Sequence, residues 1–271
     1  MNDKKGLKQY LLWSFLIAWV LQITASVLYR KGQMGLYQIS LSVSMFAPLL
    51  AVIIACKGWK NVGFRPKLKG NVIWLLFAWF VPAILGTLGA TIYFLLFPKA
   101  FKLSYEAMYV AVSLIAVITF APWINMFFAF GEEAGWRGYM YPILKERFGI
   151  TKGRIIGGVI WGIWHWPIMI LAGYEYGKEY WGAPVTGPLL FCVIATAMGI
   201  ILDLSYEKTE CIWYPALMHG AINAFAGAPM LFTNPEFYNE PLLGPLIVGL
   251  IGGFPMILLA ALVSLKKERQ S

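Results

Sequence analysis

The chain has 271 residues, of which 59% are hydrophobic, 16% aromatic and only 13% charged, with a mean hydropathy of +0.67. Soluble domains carry about 25% charged residues, so this composition excludes an ordinary soluble domain and indicates an integral membrane protein. The net charge of +9 raises nucleic acid as a partner, which the positions of the charges then argue against.

Apolar runs of about 20 residues are long enough to cross a bilayer. Eight occur, near 9–29, 36–56, 72–97, 107–130, 155–173, 183–202, 211–232 and 241–265. They are continuous rather than alternating, which predicts an all-α polytopic bundle of about eight transmembrane helices and not a β-barrel. Residues 1–271 read as a single integral membrane domain. The first run is longer than a signal-peptide core and no small-residue cleavage site follows it. Eight spans put both termini on one side, together with 17 of the 22 Lys and Arg residues. The positive-inside rule then makes that side cytoplasmic. The basic residues are a topology signal facing membrane lipid, and no nucleic acid is expected.

Between the spans, the 57–70 loop is basic (Lys57, Lys60, Arg65, Lys67, Lys69). The stretch 139–149, "YMYPILKERFG", is too short and charged to span. It predicts an interfacial segment with its tyrosines at headgroup level and Lys145 and Arg147 toward water. The outward loop "GYEYGKEYWG" reads as an aromatic belt without chemistry of its own. Cys56, Cys192 and Cys211 show no CxxC spacing and predict neither disulfides nor a thiolate metal site.

Ionisable groups at membrane depth are costly and mark functional sites. The chain's two histidines, His165 and His219, both fall inside predicted spans, in "GVIWGIWHWPIMI" and "WYPALMHGAINAF". A third element, "AFGEEAGWRGYMYP", brings Glu132, Glu133 and Arg137 to the end of a span. Asn223 lies one helical turn after His219, and Trp161 one turn before His165, so each pair shares a face. Glu133 and Arg137 are also four apart and can pair. Glu132 is rotated by about 100° from Glu133 and can face the bundle. The bland reading of "EEAGWR" is a solvated helix end with an ordinary salt bridge. Pro167 and Pro215 stand beside the histidines and can bend the helices there.

HExxH is absent, and no Ser or Cys is placed by spacing as a nucleophile. Activation of water remains. Glu132 and His165 can hold a water and take its proton, while His219 and Asn223 can stabilise an oxyanion. Alternatively, Glu132, His165 and His219 can supply three ligands to Zn²⁺ with a fourth position for water.

The three segments, in this order, resemble the CPBP (Abi) family of intramembrane proteases. That family includes the type II CAAX prenyl endopeptidases and bacteriocin self-immunity proteins. Its pattern is EExxxR, then aromatic-xxx-His, then HxxxN or HxxxB, carried here over about residues 110–230. The resemblance implies an endopeptidase in which Glu132 and His165 activate water and His219 and Asn223 stabilise the oxyanion. Glu133 and Arg137 take a structural part. Trp161 stands where the family more often has phenylalanine. The implied substrate is a peptide or a lipidated protein, the implied cofactor either Zn or none, and the implied location a prokaryotic plasma membrane. Two other readings compete: a non-catalytic immunity or scaffold protein of the same fold, and a transporter with a His/Glu proton relay. Clustering of the ionisable residues and the lack of a visible repeat favour the protease over the transporter.

Overall fold

The computed structural model describes residues 3–56, 62–103, 105–238 and 240–268. Among these residues the regular structure is helical, and the only β pairing is an isolated bridge between Phe101 and Thr233. Helix α1 (Asp3–Arg30) is followed by α2 (Met34–Ser44) and α3 (Ala47–Cys56), which together make one broken span, and by α4 (Val72–Leu96). Helices α5 (Ala107–Ile118) and α6 (Ala121–Gly135) follow. A π-helical turn, Trp136–Met140, then leads into α7 (Tyr141–Phe148). Helices α8 (Ile150–Trp164) and α9 (Trp166–Ala172) are two halves of one span broken at His165. Helices α10 (Thr186–Thr209), α11 (Trp213–Phe225) and α12 (Phe254–Glu268) complete the order.

Five of these segments are long and apolar enough to cross a membrane. A sixth qualifies if α5 and the α6–α7 run, bent by 45°, count as one span. The eight expected spans therefore become five or six by length. The seventh differs for a physical reason. Its helix, α11, has 13 residues, which rise about 20 Å against a hydrocarbon core of about 30 Å. Ten of them are buried, so the apolar run reflects packing inside protein and not exposure to lipid. The eighth is helical only from Phe254.

Helix α1 shows how the bundle separates lipid from protein. Tyr10, Ser14, Ala18, Gln22 and Ala25 are fully buried at helical spacing, while Leu12, Leu16, Val20, Ile23 and Val27 are exposed. The buried face docks on the end of α8. Gln22 Nε2 donates to the Trp164 carbonyl at 3.1 Å, and Trp164 Nε1 donates to the Ser14 carbonyl at 3.2 Å. Between helices in lipid, association depends on close packing more than on the hydrophobic effect. Helices α6 and α11 meet at Gly220, where an added Cβ would lie 2.5 Å from the Pro122 carbonyl oxygen. Helix α8 lies against α10 through Gly158 and Gly162, one turn apart. The first contact joins the glutamate helix to the His219 helix, and the second seats the His165 helix on α10.

A candidate active site at the meeting of α6, α8 and α11

Glu132 and Glu133 end α6, and both are buried, at 1% and 0% exposure. The solvated-terminus reading therefore fails. The two carboxylates have different partners, as their rotation about the helix suggested. Glu132 Oε2 accepts from the Trp161 indole at 2.6 Å and the Trp136 indole at 3.2 Å. No described residue hydrogen-bonds its Oε1, and the residue lines a cavity of about 270 Å³. Glu133 Oε1 instead accepts from Arg137 Nη1 at 2.9 Å and from His219 Nδ1 at 2.8 Å. The Arg137 guanidinium, fully buried, lies 4.5 Å and 4.7 Å from the ring centroids of Trp161 and Tyr141, within cation–π range. The π turn carries Trp136 and Arg137. Such turns recur at functional sites because they redirect side chains within a helix.

His165 occupies the break between α8 and α9, with Pro167 in the first turn of α9. Its backbone N–H bonds to Gly162 O at 3.1 Å, and its ring Nδ1 lies 3.0 Å from Trp161 O. A carbonyl can only accept, so Nδ1 carries the proton and Nε2 is the ring's acceptor. Pro167 thus does what the sequence suggested. Pro215 does not: it falls in the first turn of α11, where no intrahelical hydrogen bond is lost. His219 Nδ1 lies against the Glu133 oxygen that accepts from Arg137 and is likewise the donor, leaving Nε2 as its second functional atom. Asn223 is exposed to the cavity and makes no hydrogen bond to a described residue, so it does not bridge helices. Glu132, Trp161, His165, His219 and Asn223 all line the same cavity.

Among the described residues, no three His, Cys, Asp or Glu side chains form a group that could hold a metal ion. The set Glu132, His165 and His219 is brought to one cavity but not arranged as three converging ligands, and no step below is routed through zinc. Cys192 and Cys211 are free thiols. The side chain of Cys56 lies outside the described residues. A larger cleft of about 750 Å³ among α4, α5 and the end of α11 contains no titratable side chain, so it offers nothing to hydrolysis.

The structure also adds residues that the sequence did not reveal. Trp136 holds Glu132, and its position four residues later on the same face was the available clue. Asn125 lines the cavity two turns before Glu132. The 139–149 segment is not simply interfacial. Tyr141 is fully buried against Arg137, and Lys145 pairs with Asp203 and Glu207, whereas Arg147 is exposed as expected. Arg154 is fully buried and bonds Asp203 at 2.6 Å. The "GYEYGKEYWG" loop is more than a belt, because Tyr174 and Glu175 line the site cavity.

Residues 110–225 match the family model described as Type II CAAX prenyl endopeptidase Rce1-like. Over these residues the chain is similar to the type II CAAX prenyl endopeptidases. A relative from Methanococcus maripaludis, described as CAAX prenyl protease 2, is 26% identical over 234 residues, covering 80% of this chain and 82% of the relative. The CAAX-endopeptidase-like region runs from α5 to the last residue of α11 and contains Glu132, Glu133, Arg137, Trp161, His165, His219 and Asn223.

Proposed function

We propose that this protein is an intramembrane CAAX-type endopeptidase that hydrolyses a peptide bond with water activated between Glu132 and His165, without a metal. The observation that carries the reading is the division of labour between adjacent carboxylates. Glu132 keeps one oxygen for the cavity, while Glu133 is taken up by Arg137 and His219. Glu132 is the general base. It takes a proton as the water oxygen bonds to the scissile carbonyl carbon, and returns that proton to the amine nitrogen as the C–N bond breaks. His165 orients the water by accepting at Nε2. The two indoles fix the rotamer of Glu132. Asn223 donates from Nδ2 to the oxyanion. His219, held by Glu133 at Nδ1, presents Nε2 beside it. The substrate class is a peptide or lipidated protein, and the working side is the cytoplasmic one, consistent with the bias of Lys and Arg.

The test compares wild-type protein and Glu132→Gln in detergent on fluorogenic peptides. The variant keeps the oxygen that accepts from the indoles but cannot take a proton, so turnover should fall by about 10²–10⁴ at unchanged Tm. Near wild-type turnover would remove Glu132 from the mechanism. Extensive chelation should leave wild-type turnover intact. Its loss on chelation with recovery on Zn²⁺ would replace this reading with the metal-dependent one.

A further inference from the structure

The loop between α9 and α10 contains three backbone positions of positive φ within five residues: Gly173 at 76°, Glu175 at 71° and Gly177 at 74°. Glycine takes this region freely, and other residues rarely do. Two of the three positions are glycine, and the middle one carries a carboxylate. Such a conformation at a non-glycine residue persists where its surroundings enforce it, and it clusters at functional sites. The surroundings here are specific. Gly173 caps α9, and the Tyr176 hydroxyl donates to Val248 O at 2.7 Å, which pins the loop to the bundle. The pinned loop places Tyr174 and Glu175 in the wall of the cavity that holds Glu132 and His165.

The charges of that cavity do not balance. Its lining includes two carboxyl groups, Glu132 and Glu175, and no Lys or Arg. Among the described residues no cation pairs with Glu175; its neighbours are the Tyr174 hydroxyl and the more distant Tyr37, Tyr176 and Tyr238. Burial pushes its carboxyl up to about 7, partly offset by Tyr174. A desolvated carboxylate without a counter-charge is costly, and a cation entering the cavity would remove that cost.

We propose that Glu175 is a substrate-recognition residue, binding a cationic nitrogen of the peptide at the far wall of the catalytic cavity. The inference rests on the protease reading for the identity of the ligand as a peptide. The cation is a Lys or Arg side chain or a free amino terminus, and the strained backbone holds the carboxylate toward it.

The test uses binding, so that it does not depend on turnover. Labelled peptides carrying Lys or norleucine at each position in turn, with free or acetylated amino termini, are titrated onto Glu132→Gln protein in detergent. At one position Lys should bind at least about tenfold tighter than norleucine, or the free terminus tighter than the acetylated one. Adding Glu175→Gln should bring the pair within about twofold of each other. Glu175→Gly, which suits the positive φ, should lose the preference equally while its Tm holds or rises, and it decides the matter if the glutamine variant fails to fold. Absence of any cation preference, including absence of measurable binding, overturns the proposal, as does a preference that survives both substitutions. A wild-type protein that binds basic peptides but cleaves none would sink the protease reading and leave this one standing.

Discussion

Two groups of charged and polar side chains in this bundle are built differently. Where α7, α8 and α10 meet, Lys145 and Arg154 face Asp203 and Glu207. Two cations meet two carboxylates, and Lys145 reaches both oxygens of Asp203 at 2.8 and 2.9 Å. In the cavity, Glu132 and Glu175 face two imidazoles and an amide, with no Lys or Arg in the lining. Here cations and carboxylates pair off in equal number, although Arg154 Nη1 has no hydrogen-bond partner among the described residues. The cavity leaves one Glu132 oxygen, two imidazole nitrogens and the Asn223 amide unsatisfied, which is what a site needs if reactants are to supply the missing partners. Burial of charge alone does not distinguish an active site from a strut; the difference lies in the surplus.

The contrast can be broken or sharpened by substitution. The largest expected effect is on the strut. Asp203→Asn leaves Arg154 and Lys145 short of negative charge, and breaking a buried pair costs about 3–5 kcal/mol. Tm should fall strongly while turnover per folded molecule stays near wild type. A selective loss of turnover would erase the distinction. Asn223→Ala should do the reverse. The side chain is exposed and unbonded, so Tm should hold, while turnover falls by about 10²–10³ through loss of an oxyanion donor. A lowered Tm at normal specific activity would return Asn223 to a packing role. Trp161→Phe removes the 2.6 Å bond to Glu132 and keeps a ring beside Arg137. A hydrogen bond to a charged group contributes about 1.5–3 kcal/mol, so kcat should drop by about tenfold or more, with a smaller change in KM. An unchanged kcat would mean that the indole is only filler where phenylalanine serves.

The smallest effect is on pH dependence. Burial raises the Glu175 carboxyl to about 7, above its value of 4.5 in the unfolded chain. The folded state therefore binds more protons between these values, and this contribution to stability is full below about pH 4.5 and is lost as pH rises through 7. Tm measured across that window should decline less steeply in Glu175→Gln than in wild type. Parallel profiles would show that Glu175 does not titrate there.

Much of this was legible in the chain because lipid makes ionisable residues conspicuous. Two histidines, adjacent glutamates and an arginine inside apolar runs indicated the site, and helical spacing correctly separated the Glu132 and Glu133 faces. The family match covers residues 110–225. Trp161 was visible as an aromatic one turn from His165, but its bond to Glu132 depends on helix packing. Helix length supports five or six spans rather than settling on eight, because burial in protein and burial in lipid select the same apolar residues, as α11 shows. Asp203 lies just past the apolar run 183–202, because charge ends that run, whereas α10 continues to Thr209. A lone Asp after "GIIL", with Arg and Lys available on a preceding element, is the signal. The inward turn of "GYEYG" depends on backbone angles that composition does not carry, although glycines flanking a single acid between tyrosines mark where to look.

The break between α8 and α9 has a consequence for heredity as well as for shape. In an unbroken helix the Trp161 carbonyl would receive the main-chain N–H of residue 165. Here that N–H turns to Gly162, and the vacated carbonyl takes the imidazole instead. The location of one hydrogen atom is therefore specified by an irregularity in the main chain. A lineage could lose it by restoring a smooth helix, through changes at positions such as 167 that never touch a reacting atom, while every motif residue survived intact.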